Sequence, residues 1–118
     1  MKTNNHIKLK KDSIEASFDV YFFEDKGVMF AYSPALDLYG YGNTLQEAKE
    51  SFEIVVQEYF DYGVQNNTLA EDLAKHGWKK AEENAFAITP AISRNHEMKG
   101  ITARDYDKRT IPLSFSYA

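Results

Sequence analysis

Residues 42–63, GNTLQEAKESFEIVVQEYFDYG, form the segment around which the rest of this chain is organised. Thr44 and Glu47 have the spacing of a capping box, in which the threonine hydroxyl accepts from the Glu47 amide and the carboxylate accepts from the Thr44 amide. Apolar residues then recur with the period of a helix and predict one buried stripe. The members of this stripe are Leu45, Ala48, Phe52, Val55, Val56 and Tyr59. Because glycine readily adopts the left-handed conformation that ends helices, Gly63 predicts a helix end near Tyr62.

The polar face of this predicted helix is acidic, with four glutamates and one lysine. Residues 12–78 carry 13 acidic residues against three lysines, a net charge of −10, whereas residues 1–11 carry +4 and residues 79–118 carry +2. Such an acidic surface disfavours contact with a phosphate backbone and suits a basic partner. The alternative interpretation is a solvated helix face that only keeps the protein in solution.

Length and composition indicate one folded domain. The chain has 118 residues, of which 43% are hydrophobic and 14% aromatic, so it has enough apolar surface to form a core. It contains no cysteine, which excludes disulfides and thiolate metal sites. No apolar run approaches the roughly 18 residues of a membrane helix, and the N-terminus lacks the apolar stretch of a signal peptide. We therefore expect a cytoplasmic protein.

Three strands are predicted upstream of the helix. Residues 17–24, SFDVYFFE, and residues 28–33, VMFAYS, are rich in aromatic and β-branched residues and predict an antiparallel hairpin. Pro34 then interrupts the ladder because it has no amide to donate, and residues 36–41 form a short third strand. We expect residues 1–12 either to extend an edge strand or to stay frayed. The predicted fold class is α+β, an antiparallel sheet of three or four strands packed by one main helix in the order β-β-β-α.

A second, shorter helix is predicted after the main one. Thr68 and Glu71 have the spacing of another capping box. Gly77 marks the end of this helix, and Trp78, directly after it, is expected to pack back as the hydrophobic partner of the cap.

The C-terminal part of the chain carries strand patterns on either side of a segment without a clear period. Residues 85–89, AFAIT, predict a brief strand, and residues 91–110 are expected to be weakly structured. Residues 110–118, TIPLSFSYA, alternate apolar and polar side chains as far as Tyr117 and predict a strand. Pro112 places this strand at a sheet edge or at a strand start. The strand pairs either within its own chain or with a second subunit.

Taken together, residues 18–63 resemble the HicB antitoxin family. The family's core is an apolar strand, an acidic-glycine turn and a strand ending in an aromatic-x-Pro-x-Leu-like segment, followed by a glycine and a G-D-T-x-x-E-A helix start. The matching pieces here are FDVYFFEDKG, VMFAYSPALD, YGYGN and TLQEAKESFEIVVQEYF. This chain departs from the pattern with Tyr-Gly-Tyr where Gly-Cys is frequent, and with Asn43 where Asp is commoner, although Asn also caps helices well. The resemblance implies a HicB-like α+β domain over residues 1–80 and a C-terminal extension with strands over residues 81–118.

The resemblance implies a partial RNase H-like fold and an antitoxin role. Such a protein binds and neutralises a small basic HicA-type ribonuclease toxin by steric and electrostatic block, without a cofactor. Many family members add a ribbon-helix-helix or helix-turn-helix that binds the operator of their own genes, so operator DNA is a second implied partner. Residues 68–84 could begin a helix-turn-helix, but residues 85–90 predict a strand where a recognition helix should continue. We also expect a homodimer or a higher homo-oligomer.

Two other functions stay open as alternatives, a metal-dependent nuclease and a free-standing dimeric transcription regulator. A nuclease of the RNase H type needs about four clustered carboxylates that hold two Mg²⁺ ions. Asp19 and Glu47 are the candidates, but an exposed strand face and the capping box already explain them. The three histidines, His6, His76 and His96, have no clustered partners in the sequence, so no metal or catalytic site is predicted.

The chain has more tyrosine than so small a core requires, with eight Tyr and eight Phe residues. Tyrosines beside carboxylates suit an interface with the lysines and arginines of a basic toxin. A base-stacking platform is the alternative that the acidic surroundings disfavour, and partly buried rings with wet hydroxyls are the alternative without a partner. The predicted partner contacts are Tyr32, Tyr39, Tyr41, Glu47, Glu50, Glu53 and Glu58.

Overall fold

The computed structural model describes residues 3–116 and shows the predicted α+β fold. Within these residues, one antiparallel sheet has seven strands rather than three or four. The strands are β1 (Asn5–Leu9), β2 (Ser13–Asp25), β3 (Val28–Ser33), β4 (Leu38–Gly42), β5 (Lys79–Glu82), β6 (Ala85–Ile88) and β7 (Asp107–Ser116). The helices are α1 (Leu45–Asn66), α2 (Leu69–Lys75) and α3 (His96–Thr102), with a 3₁₀ turn at Ile92–Arg94. The succession of β2, β3, β4 and α1 is the predicted β-β-β-α order. Among residues 3–116, no helix is both long and apolar enough to cross a membrane.

β2 is the centre of the sheet because both of its edges are paired. β7 pairs along one edge over residues 13–22. β1 and β3 share the other edge end to end, opposite residues 14–17 and residues 21–25. Asn5 fills the junction between them, since its Oδ1 accepts a 2.9 Å hydrogen bond from the Asp19 amide. β1 also pairs with β6, so the expectation of an edge or frayed segment at the N-terminus is wrong and this strand is interior.

α1 covers one face of the sheet and forms the main core with it. The buried side chains of this core include Ile7, Phe18, Val20, Phe22, Leu36, Phe52, Val56, Phe60 and Leu73. The helix lies very close to β4, because a Cβ atom on Gly40 would be 2.3 Å from the Phe52 backbone nitrogen. Only glycine fits at this position without moving the helix.

The N-terminal cap of α1 forms largely as predicted. The Thr44 hydroxyl accepts from the Glu47 amide over 3.1 Å. The Glu47 carboxylate, however, accepts from the Asn43 amide over 3.1 Å and not from the Thr44 amide. Asn43 thus contributes a backbone donor to the cap.

α1 continues past Gly63, so the predicted helix end near Tyr62 is wrong. The helix runs to Asn66, and Asn67 takes the left-handed conformation with φ of 58°. Gly63 is buried inside the helix, where an added Cβ would lie 3.0 Å from the Cβ of Leu69. The glycine therefore serves the close packing of α2 on α1 rather than helix termination.

α2 ends as predicted but begins differently. The Thr68 side chain makes no capping hydrogen bond, so the predicted second capping box does not form. At the other end, Gly77 has a φ of 91°, and the Trp78 amide donates to the Leu73 carbonyl over 3.0 Å. Trp78 is 4% exposed and packs into the main core, which confirms its role as the hydrophobic partner of the cap.

Residues 91–110 are not weakly structured, contrary to the prediction. They supply the 3₁₀ turn, α3 and the start of β7. α3 is capped by Asn95, whose side chain accepts from the Met98 amide over 3.0 Å. α3 covers part of the second face of the sheet with Met98 and Ile101. This second core consists of Tyr21, Phe23, Tyr32, Met98 and Ile101. A seven-residue helix that buries two side chains is too short to show a period in sequence.

The C-terminal residues belong to the same sheet as the rest of the chain. The predicted boundary between residues 80 and 81 falls inside β5, and β6 pairs with β1. β7 pairs with β2 of its own chain, and Pro112 lies in a strand with one paired edge, as predicted. Tyr117, which the sequence placed in this strand, lies outside the described residues.

Candidate protein-binding surface

The middle of the outer face of α1 combines carboxylates with an exposed apolar side chain, and two further apolar side chains, Tyr62 and Val64, are exposed near the end of the helix. Ile54 is 57% exposed. Residues four apart are neighbours on a helix surface, so Glu50 and Glu58 flank Ile54 from either side, and Glu53 precedes it. An exposed isoleucine among glutamates is an apolar centre with an acidic rim.

The carboxylates of this face have few cationic neighbours in the described part of the chain. Glu50 accepts from the Gln46 amide group over 3.1 Å. Lys49 lies 3.9 Å from Glu53, an i,i+4 pair at the surface, and such pairs contribute little. Glu47 is occupied by the helix cap. The face therefore stays negative, with Glu50 and Glu58 exposed and Glu53 half-buried.

A groove of about 720 Å³ separates this face of α1 from β7. On the helix side it is lined by Glu50, Glu53, Ile54 and Gln57, and on the strand side by residues 112–116. Its lining is mixed, and its apolar part comes from the half-buried Leu113 and from Phe115, whose ring packs 5.7 Å from the Phe60 ring. The groove extends the surface around Ile54 toward the edge of the sheet that β7 forms.

The predicted tyrosines do not join this surface. Tyr32 is fully buried in the second core, where its hydroxyl donates to Asp37 over 2.7 Å and accepts from the Asn95 amide group over 3.2 Å. Its prediction as a partner contact is therefore wrong in this structure. Tyr39 and Tyr41 are 36% and 65% exposed and lie on the sheet face opposite α1. The predicted contacts thus divide between two faces of the sheet.

Tyr39 is held at the margin of the second core. Its hydroxyl donates to Glu97 of α3 over 3.1 Å, and its ring lies 4.4 Å from the Tyr32 ring. Burial, and then the carboxylate of Glu97, raise the pKa of Tyr39 to about 12. Tyr39 therefore connects β4 to α3, whereas Tyr41 is the more accessible ring.

The two carboxylates considered for a nuclease lie on opposite faces of the sheet. Asp19 shares the face of Tyr21, where it accepts from the Thr110 hydroxyl over 3.0 Å and lies 3.7 Å from Lys108. Glu47 lies at the start of α1 on the other side. These two side chains cannot bind one pair of metal ions. Across residues 3–116, no three His, Asp or Glu side chains are grouped closely enough to hold a metal ion.

The segment considered for a helix-turn-helix has another structure. α2 is followed directly by the β5–β6 hairpin. Residues 68–84 therefore supply one short helix and a strand, and not the two helices that this DNA-binding motif requires.

Sequence reasoning missed two parts of the candidate surface. Ile54 departs from the apolar stripe of α1 and stands among glutamates, which was the available signal. The placement of β7 beside α1 had no local signal, because it depends on pairing with β2 across some 90 residues of chain.

Comparison with known proteins places this chain in no family: no family model, curated protein or solved structure matches it.

Proposed function

We propose that this protein is an antitoxin of the HicB type, which binds and neutralises a small basic ribonuclease toxin of the HicA type. The observation that carries the proposal is the exposed Ile54 within the acidic outer face of α1. The sequence pattern of residues 18–63 supplies the family to which this surface is assigned.

The surface has the composition that recognition of a basic protein requires. An apolar centre loses water on contact and supplies most of the affinity, while the surrounding groups exclude solvent. The glutamates raise the rate of encounter with a positively charged partner and oppose binding of acidic ones. Neutralisation then follows from covering the active site of the toxin, with no reaction catalysed by the antitoxin.

Tyr41 extends the contact surface toward the other edge of the sheet, which β4 forms. Its backbone amide donates to the Ser51 hydroxyl of α1 over 3.2 Å, so β4 adjoins the helix here, while the exposed Tyr41 ring lies on the other face of the sheet. A partner that covers α1 and reaches around β4 contacts both.

Co-expression with a small basic protein encoded beside this one tests the proposal. We expect a complex that co-purifies on size-exclusion chromatography and a toxin whose effect on growth is suppressed. The double change Glu50→Lys and Glu53→Lys should abolish both, because it places cations opposite cations. The double change Glu82→Lys and Glu83→Lys is the matched control, since both are exposed acids of the β5–β6 hairpin, outside this face.

Two results would contradict the proposal. One is the absence of any small basic partner that binds. The other is a complex that the double change Glu82→Lys and Glu83→Lys weakens as much as the double change on α1, since the attraction would then depend on net charge alone. The HicB resemblance further implies operator binding and a homo-oligomer, which gel-shift assays and light scattering on the complex measure directly.

A further inference from the structure

β7 presents an edge without a backbone partner in the described part of the chain. Its inner edge pairs with β2 over residues 13–22, and no other backbone hydrogen bond within residues 3–116 reaches this strand. Ten residues make this the longest exposed edge of the sheet. A row of free amides and carbonyls is a template for another strand.

The register identifies which amides point outward. The Asp19 amide points to the β1–β3 side of β2, because it donates to Asn5. Direction alternates along a strand, so the amide of Ala16 points to β7 and bonds with Leu113 opposite. The even-numbered residues of β7 then point their amides away from β2.

Pro112 agrees with this assignment. It lies opposite Ser17 inside a continuous ladder, and proline is tolerated there when its nitrogen faces outward. The outer edge thus offers the amides of Thr110 and Ser114 on either side of a proline that still has its carbonyl.

The other two edges of the sheet are protected. On β4, the outward amide of Tyr41 already donates to Ser51 of α1. β5 has only four residues, all exposed, and begins with Lys79 and Lys80. Short edges and edge lysines both discourage strand addition.

A strand added to β7 would enter the groove beneath α1. Side chains on its α1 side would face Ile54 and the half-buried Leu113, with Glu50 and Glu53 at the rim. Because side chains alternate along a strand, only every second residue of the added strand faces α1, and the fitting sequence has both apolar and basic residues among these positions.

A second copy of this chain fits the edge poorly. Two β7 strands related by a two-fold axis would continue one sheet and place both α1 helices on the same face, on either side of the seam. Glu50 and Glu53 of both copies would then approach one another, and like charges in an interface are repelled. Charge favours a basic strand over self-association.

We propose that the outer edge of β7 binds an extended basic segment of the partner as an added strand, with its apolar side chains on Ile54 and its lysines or arginines on Glu50 and Glu53. The assignment of that segment to the toxin rests on the proposed function. Main-chain hydrogen bonds supply affinity in such additions, and the pockets for alternate side chains supply specificity.

A synthetic peptide in which valine and lysine take turns at every second position, with threonine between them, tests the edge without the toxin. In hydrogen-exchange NMR of the whole protein, we expect the amides of Thr110 and Ser114 to exchange fast in the free state and to be protected by the peptide. Ser114→Pro should weaken peptide binding by about tenfold, as loss of one hydrogen-bonding position implies. Ser114→Ala keeps the amide and should bind within about twofold of wild type.

The outcomes separate this inference from the proposed function. Saturating peptide without protection of Thr110 and Ser114 overturns the strand addition, as does equal binding by Ser114→Pro and Ser114→Ala. If Ser114→Pro fails to fold, amide protection in the wild-type chain decides alone. If a toxin binds but leaves both amides unprotected, the antitoxin function is supported and strand addition to β7 is contradicted. If the peptide protects both amides but no toxin partner binds the protein, strand addition to β7 is supported and the antitoxin function is contradicted.

Discussion

The indole nitrogen of Trp78 donates a 2.9 Å hydrogen bond to the carbonyl of Ala35, which lies 43 positions earlier in the chain. Both residues are buried. The bond ties the end of α2 to the loop between β3 and β4. It also satisfies a carbonyl that no water reaches.

Trp78→Phe should therefore lower the free energy of unfolding by about 1–3 kcal/mol, because the Ala35 carbonyl loses its donor. Urea denaturation measures this difference. Unfolding should be followed by circular dichroism, because Trp78 is the single tryptophan of the chain and its substitution removes the fluorescent probe. Tyr62→Phe removes a hydroxyl from a side chain that is 69% exposed and should have little effect. Equal effects of the two changes would contradict the role of the buried bond.

Asn5 should be required at the junction where β1 gives way to β3. Asn5→Ala leaves the Asp19 amide without its acceptor and should destabilise the fold by about 1–3 kcal/mol. Asn4→Ala changes the exposed neighbour and should stay near wild type in the same urea experiment. If both variants are as stable as the wild type, the Asp19 amide finds another partner.

Gly40 and Gly100 should respond oppositely to alanine. At Gly40 the new methyl group collides with backbone atoms of Phe52 and Ala48 at 2.3–2.7 Å, and overpacking should cost at least about 2 kcal/mol. Gly100 lies in α3 with no atom within 4 Å of an added Cβ. Alanine there should stabilise the helix by up to about 1 kcal/mol. Thermal denaturation of both variants checks the sign of each effect.

Met98 should hold α3 on the sheet. It is fully buried in the second core, so Met98→Ala should destabilise the protein by about 2–5 kcal/mol. Limited proteolysis should then cut faster within residues 91–104. Lys99→Ala, an exposed change in the same helix, is the control. Unchanged proteolysis of Met98→Ala would mean that α3 is held by other contacts.

Stability should fall at alkaline pH in part through Tyr39. Burial, with Glu97, raises its pKa from 10.0 to about 12, so the folded state favours the neutral hydroxyl. This contribution is complete below about pH 10 and is lost as the pH rises toward about 12. Burial also raises the pKa of Tyr32 and Tyr59, which adds to the decline.

Tyr39→Phe should flatten that decline, whereas Tyr41→Phe on the same strand serves as the exposed control. Urea unfolding at a series of alkaline pH values gives the slope for each variant. A slope in Tyr39→Phe as steep as that of the wild type would assign the alkaline loss to other tyrosines.

Elements with strong local signals were predictable from the sequence. The cap at Thr44, the apolar stripe of α1 and the alternation in the first part of β2 each act over a few residues, and all are present in the structure. β5 was not predicted because all four of its side chains are exposed and show no alternation of burial.

The candidate surface was predictable only in part, for a related reason. The glutamates follow from the polar face of one helix. Tyr32 was misplaced because alternation tells which face of a strand a residue occupies, but not what covers that face. Its cover is α3 and Asn95, some 63 residues later in the chain.

The pairing of β2 with β7 also dictates when this protein can finish folding on the ribosome. Residues 13–22 stay unpaired along one edge until residues 107–116 have been made. At about 5–20 residues per second, that interval lasts on the order of 5–20 seconds. During it the central strand is paired along one edge only and its other edge offers free amides and carbonyls to other strands, so nascent chains of this protein should engage chaperones until β7 emerges.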